Sequence, residues 1–157
     1  MEAILMMIGS TNTPFVRTGI DEYCRRLKHY IPFSILEIKD VKVASGTSRE
    51  KQKQMEGEAI LKRLNTSDMV ILLDERGKEY TSLEFAAQFE KWQYSGKKRI
   101  IFIVGGPFGF SDDVYSRSDG KLSLSRMTFN HEMVRLFFIE QVYRAQTILR
   151  NEPYHHE

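Results

Sequence analysis

Four stretches of this 157-residue chain carry side chains or backbone that could do chemistry. His131-Glu132-Met133-Val134-Arg135 begins like the helix of a zinc peptidase, in which two histidines four residues apart share one face and hold a metal. Arg135 stands where the second histidine belongs and cannot ligate, and His29, His155 and His156 have no ligand spacing to join His131. No metal site is expected. Gly105-Gly106-Pro107-Phe108-Gly109 is the sharpest turn in the chain. Val104 replaces the first glycine of a dinucleotide fingerprint, however, and Pro107 removes an N–H from any phosphate cradle. Its glycines would admit a neutral or zwitterionic nucleoside close to the backbone; a tight loop holding nothing accounts for them equally well. Tyr154-His155 could move a proton at a substrate, although in isolation the tail Asn151–Glu157 reads as a structural or disordered end. Cys24 falls among apolar positions of a helix and is expected to be a buried, inert thiol. With no GxSxG and no GxxxxGK[ST] present, serine nucleophiles and P-loop nucleotide chemistry are excluded.

The elements that must position these groups follow from hydrophobic period. Ala3–Ile8, Phe33–Ile38, Met69–Leu73 and Ile100–Val104 are strand-sized apolar runs, and Lys121–Leu124 is a fifth, shorter candidate. Between them, Pro14–Tyr30 places Val16, Ile20, Tyr23, Cys24 and Leu27 on one helical face. Capping-box patterns at Thr47–Glu50 and Thr81–Glu84 open two further helices. The first is expected to bury Met55 and Ala59, with Ile60 and Leu64 as further candidates, and the second ends at Gly96. Ser111-Asp112 caps a short helix to about Arg117, and Glu132–Leu149 forms a long final helix. Its apolar residues exceed one stripe, so burial by both the sheet and a second subunit is expected. Apolar strands alternating with helices predict an α/β fold with a parallel sheet covered on both faces, as one domain over 1–157. Ligands of such sheets bind beyond the carboxyl ends of the strands, here Leu73-Asp74, Gly105–Gly109 and Leu124–Phe129.

Composition narrows the class. Hydrophobic residues make up 41% and charged residues 28%, the balance of a globular protein rather than a disordered one. No apolar run is long enough to span a membrane, and the start lacks a basic region before its apolar run, so an intracellular protein without membrane association is expected. Lys and Arg total 23 against 21 acidic residues, so any basic face must come from distribution. Arg25-Arg26-Lys28 and Lys97-Lys98-Arg99 are such clusters, or else ordinary solvated surface.

Leu72-Leu73-Asp74 with Gly77-Lys78, the IVGGPFGF turn, the LSLSRMTFNHEMVR segment and the IEQVYRA…NEPYHHE ending occur in order along the chain. Together with Gly19–Tyr23 they resemble, nearly end to end, the bacterial large-subunit rRNA pseudouridine N3-methyltransferases of the SPOUT superfamily. The resemblance implies a C-terminal deep trefoil knot, an exception to the rule against threaded chains. It also implies a cytoplasmic homodimer that uses S-adenosylmethionine to methylate N3 of a pseudouridine in the helix 69 loop of 23S rRNA in the ribosome. Carried over by motif, Leu73, Gly105, Leu124, Ser125, Arg126, Met127, Thr128 and Phe129 hold the methyl donor. The tail of one subunit completes the site of the other, with Tyr154 and His155 as catalytic candidates and His131 and Arg135 orienting the substrate. Family tails carry Lys or Arg directly after the Tyr-His pair; His156 stands there in this chain, a cation only when protonated. Methylation of another RNA nucleoside, or a non-catalytic ribosome-binding dimer, are the competing expectations.

Overall fold

The computed structural model describes all 157 residues. Ten elements alternate in the order β1 (Glu2–Ile8), α1 (Pro14–Leu27), β2 (Phe33–Ile38), α2 (Arg49–Leu61), β3 (Met69–Glu79), α3 (Ser82–Gln93), β4 (Arg99–Val104), α4 (Asp112–Arg117), β5 (Gly120–Ser123) and α5 (His131–Leu149). The strands form one sheet in the order β2-β1-β4-β3-β5, and every pairing is parallel. Period-two alternation divides each central strand between two cores. Ala3, Leu5 and Met7 of β1 and Ile100, Phe102 and Val104 of β4 face α1, α3 and α5; Ile4, Met6, Ile8, Ile101 and Ile103 face α2 and α4. The connections through α1 and α3 step one way along the sheet on one face, and those through α2 and α4 step the other way on the opposite face. Right-handed crossovers require that arrangement.

The chain departs from its sequence pattern at several places. Helix α1 ends at Leu27 rather than Tyr30, because Tyr30 N–H turns back to the Leu27 carbonyl. Ser48, not Thr47, caps α2 by accepting from Lys51 N–H, so the expected box is displaced by one residue and Glu50 pairs with Lys53 instead. That rotation buries Glu56, Gly57 and Ile60 and leaves Met55 and Ala59 half-buried. Thr81 and Glu84 do form the full capping box of α3. Strand β3 continues past Leu73 to Glu79 through a bulge, since Leu122 of β5 pairs with both Leu73 and Lys78. Gly77 makes the bulge possible: a Cβ there would lie 2.6 Å from the Leu122 backbone. Part of the apolar excess of α5 is packed within the chain itself. Helices α1 and α3 flank α5 and take up Met133, Val134, Leu136, Tyr143, Ile148 and Leu149, leaving Phe137 as its one exposed large apolar side chain. No helix is long and apolar enough to cross a membrane.

Candidate active site

Leu73 stands at the centre of the site because it pairs with Val104 on one side and Leu122 on the other. The three segments singled out by sequence therefore lie on adjacent strands: after β4, at the bulge within β3, and after β5. In the first, Asp74 accepts from Arg76 N–H at 2.8 Å and from the Tyr115 hydroxyl, strapping the start of the β3 bulge to α4. Burial, followed by the neighbouring Asp74 carboxylate, pushes the Tyr115 phenol up to about 12, so it stays a donor.

In the second, Gly109 N–H closes a turn onto the Gly106 carbonyl at 3.2 Å, and Gly109 has φ +81°, a region glycine favours. Each glycine at its base serves packing. The space for a Cβ on Gly105 is filled by the Phe110 ring at 3.1 Å, and that on Gly106 by the Glu56 carboxylate, whose Oε2 would be 2.2 Å away. A side chain at 105 would crowd the Phe110 ring in the turn's own interior, with or without a ligand above it.

The third loop is tied by its serines: Ser123 Oγ donates to the Ser125 carbonyl, and Ser125 Oγ accepts from Met127 N–H, both at 3.0 Å. Leu124 is half-buried against the core, Met127 and Thr128 are exposed, and Arg126 reaches Glu79 at 3.7 Å across solvent. Phe129 packs on Phe137 with ring centroids 5.3 Å apart. Apolar Leu73 and Leu124, an open Gly109 and exposed loop backbone form a surface suited to a planar apolar group with backbone polar partners.

Asn130 then caps α5, its Oδ1 accepting from Glu132 and Met133 N–H. His131 is exposed beside the loop. Glu132 and Arg135 turn inward. The Glu132 carboxylate accepts from Asn12 N–H at 2.6 Å and Thr13 N–H at 3.1 Å, serving α1 in place of the side-chain cap that Thr13 does not supply. Those hydrogen bonds hold Glu132 down at about 2. Arg135, 1% exposed, donates to the Ile8 carbonyl at 2.7 Å and to Thr11 Oγ1 at 2.9 Å. Its charge lies inside the chain, where it positions the β1–α1 loop.

The tail is docked, not frayed. Tyr154 donates its hydroxyl to Glu140 at 2.9 Å, lies 3.1 Å from the Tyr23 hydroxyl, and meets the Tyr143 ring edge-on at 4.8 Å. Arg144 stacks over Tyr154 and approaches His155 Nδ1 at 3.3 Å. Burial and these partners push the Tyr154 phenol well above its usual range. Because a guanidinium only donates, His155 Nδ1 is the acceptor and Nε2 carries the proton, facing Glu157 at 3.5 Å. Elsewhere, half-buried Cys24 has its thiol pushed up to about 11, mainly by burial and then by Asp21, as suits an inert thiol.

A family model described as predicted SPOUT methyltransferase matches residues 1–155. The chain belongs to the SPOUT methyltransferase family. Curated relatives named ribosomal RNA large subunit methyltransferase H are similar over their whole length: 52% identical in Parabacteroides distasonis, 51% in Flavobacterium psychrophilum and 50% in Porphyromonas gingivalis, with 100% of both chains covered in each case. SPOUT membership makes the chain a methyltransferase that uses S-adenosylmethionine, and the apolar, backbone-rich surface around Leu73 fits such a donor. Sequence reasoning singled out the three segments but missed Asp74–Tyr115 and Glu56, which brace two of them, and Glu132, which holds the β1–α1 loop. Glu56 had a signal. Gly57 sits inside a helix, where glycine is disfavoured without a close contact, and its missing Cβ would lie 2.3 Å from Ser111 Oγ.

Proposed function

We propose that this chain transfers a methyl group from S-adenosylmethionine to N3 of a pseudouridine in the helix 69 loop of 23S rRNA, acting on the ribosome as a cytoplasmic homodimer. The observation that carries the reading is that Leu73, Gly105 and Leu124–Phe129 lie on or directly after three adjacent strands, in a chain about half identical to rRNA methyltransferases from end to end. One SPOUT domain over 1–157, with the threaded knot its family implies, belongs to the same proposal.

The donor supplies an electrophilic methyl group; the chain must hold it and help an imide nitrogen lose its proton. Leu73 and Leu124 wall the adenine side, with backbone of Gly105 and Ser125–Phe129 as polar partners. Arg126, Met127 and Thr128 are exposed where RNA must approach, and His131 stands at the same edge. Tyr154 and His155 both carry protons, which face Glu140 and Glu157 within one chain and turn onto the substrate when it is bound. Their part is to stabilise charge developing on the imide oxygens, which strengthens the acidity of N3.

Spacing supports a tail acting across a dimer. Phe137 and Arg144 are seven residues apart on one face of α5, so the docked tail lies about 10 Å along the axis from the Phe129–Phe137 pair of its own chain. An antiparallel pairing of two α5 helices about a point between these residues would lay each tail over the partner's loop. Exposed Phe15, Met127 and Phe137 give such a pairing apolar surface. The test is transfer of labelled methyl from S-adenosylmethionine to ribosomes lacking the modification, followed by mapping of the product. Incorporation at that pseudouridine N3 is expected. Incorporation at another nucleoside would refute the substrate, and donor binding without transfer would leave a ribosome-binding dimer.

A further inference from the structure

Glu56 is a buried acid that nothing in the chain neutralises. It is 4% exposed on α2, one oxygen accepts from Gln52 Nε2 at 3.2 Å, and Oε2 has no hydrogen-bond partner. Its carboxyl group occupies the notch left by Gly106, in the turn that follows β4. The next residue, Gly57, presses on Ser111 at the far end of the same turn, so α2 grips the turn at both ends through backbone-close contacts. The surroundings supply no cation. Asp40, packed against Gly9, adds negative charge; the sheet face below is apolar through Ile8, Ile38 and Ile103; and Ser111 and Val114 of α4 are neutral. Arg49 stacks on Phe108 at the tip of the turn. Burial first, and Asp40 after it, raise this carboxyl above the ordinary range, which Gln52 only partly offsets. A group so placed is costly unless a cation arrives to pair with it.

We propose that Glu56 is a specificity-determining residue that reads the charge of the ligand on the glycine turn, favouring the sulfonium methyl donor over the thioether product. Glu56 has this part only if the turn holds the donor, as proposed above. S-adenosylmethionine carries one positive charge on sulfur that S-adenosylhomocysteine lacks once the methyl group has left. A buried carboxylate within about 10 Å, at intermediate screening, changes the affinity of a unit charge by roughly tenfold. Loss of that attraction after transfer would aid release of product.

Calorimetric titration of both ligands into wild type and Glu56→Gln tests this directly. The amide keeps the shape that fills the Gly106 notch and removes the charge. Affinity for S-adenosylmethionine should fall about tenfold, while that for S-adenosylhomocysteine stays within twofold. In wild type the preference for the sulfonium should weaken on acidification below pH 7, where the ammonium of both ligands stays charged, as Glu56 takes up a proton; in Glu56→Gln it should be flat. Equal changes in the two affinities, no change in either, or a flat wild-type ratio would overturn the inference, and the wild-type ratio alone decides if the variant does not fold. Wild type binding neither ligand would overturn the cofactor site itself.

Discussion

Deleting Pro153–Glu157 separates the two parts the tail could play. Within one chain the deletion removes the Tyr154 bonds to Glu140 and Tyr23, its edge contact with Tyr143 and the stacking of Arg144. Each hydrogen bond is worth about 1 kcal/mol net and an aromatic pair a similar amount, so the loss is about 2–4 kcal/mol. For a chain of this size the melting temperature falls by roughly 5–15 °C. A frayed end would cost nothing, and calorimetry reads the difference. Methyl transfer, assayed well below the lowered transition, should fall at least the roughly 100-fold typical of losing a positioned proton-handling group. A heterodimer then assigns the tail to a site. One subunit lacks its tail and the other carries Gly105→Val, which forces the Phe110 ring aside and spoils its own turn at an overpacking cost of about 1–3 kcal/mol. If the tail acts on the partner, the valine subunit donates its tail to the intact turn opposite and one of two sites works. If it acts within its own chain, each site has one defect and the heterodimer is dead. An inactive heterodimer refutes the shared site; an active tail-deleted homodimer refutes the catalytic role.

Tyr154→Phe should lower kcat without moving the pH dependence between pH 6 and 9, because the wild-type phenol stays protonated throughout; a shifted profile would show it acting as a base. Glu132→Gln should lower the urea midpoint at pH 7. Since the native carboxyl lies at about 2 and an unfolded glutamate near 4.3, the wild-type advantage is complete above about pH 5 and fades as pH falls toward 2. An advantage equal at pH 7 and pH 2 would contradict the role given to Asn12 and Thr13. Gly77→Ala should destabilise the fold by about 1–3 kcal/mol, because its Cβ meets the Leu122 backbone rather than a movable side chain, and should weaken donor binding; chemical denaturation and calorimetry measure the two.

Strand and helix order was legible because apolar runs and capping patterns are local signals. Thr81 and Glu84 fix α3 by contacts three residues apart, and the parallel sheet follows from strands without polar faces. Side-chain destinations were less legible because they depend on distant partners. Arg135 reads as a substrate-orienting group, and its bonds to the Ile8 carbonyl and Thr11 come from residues more than a hundred positions away. Gly105 reads as room for a ligand until Phe110 folds into that room. The apolar residues of α5 exceed one stripe because α1 and α3 flank it on either side, a packing that its own period does not specify. The loops at the strand ends could be located from their motifs, whereas the groups that stiffen them are joined through space.

Glu132 and Arg135 grip the β1–α1 loop from more than a hundred residues farther along the chain. On a translating ribosome, α1 therefore emerges with the donors at its start unanswered. A helix of its 14 residues is marginal without tertiary support. At about 5–20 residues per second, the residues that complete it are made roughly 6 to 24 seconds later. During that interval the N–H groups of Asn12 and Thr13 lack the carboxylate that accepts from them in the finished fold. Synthesis of the last segment is thus the event that sets the first helix in place.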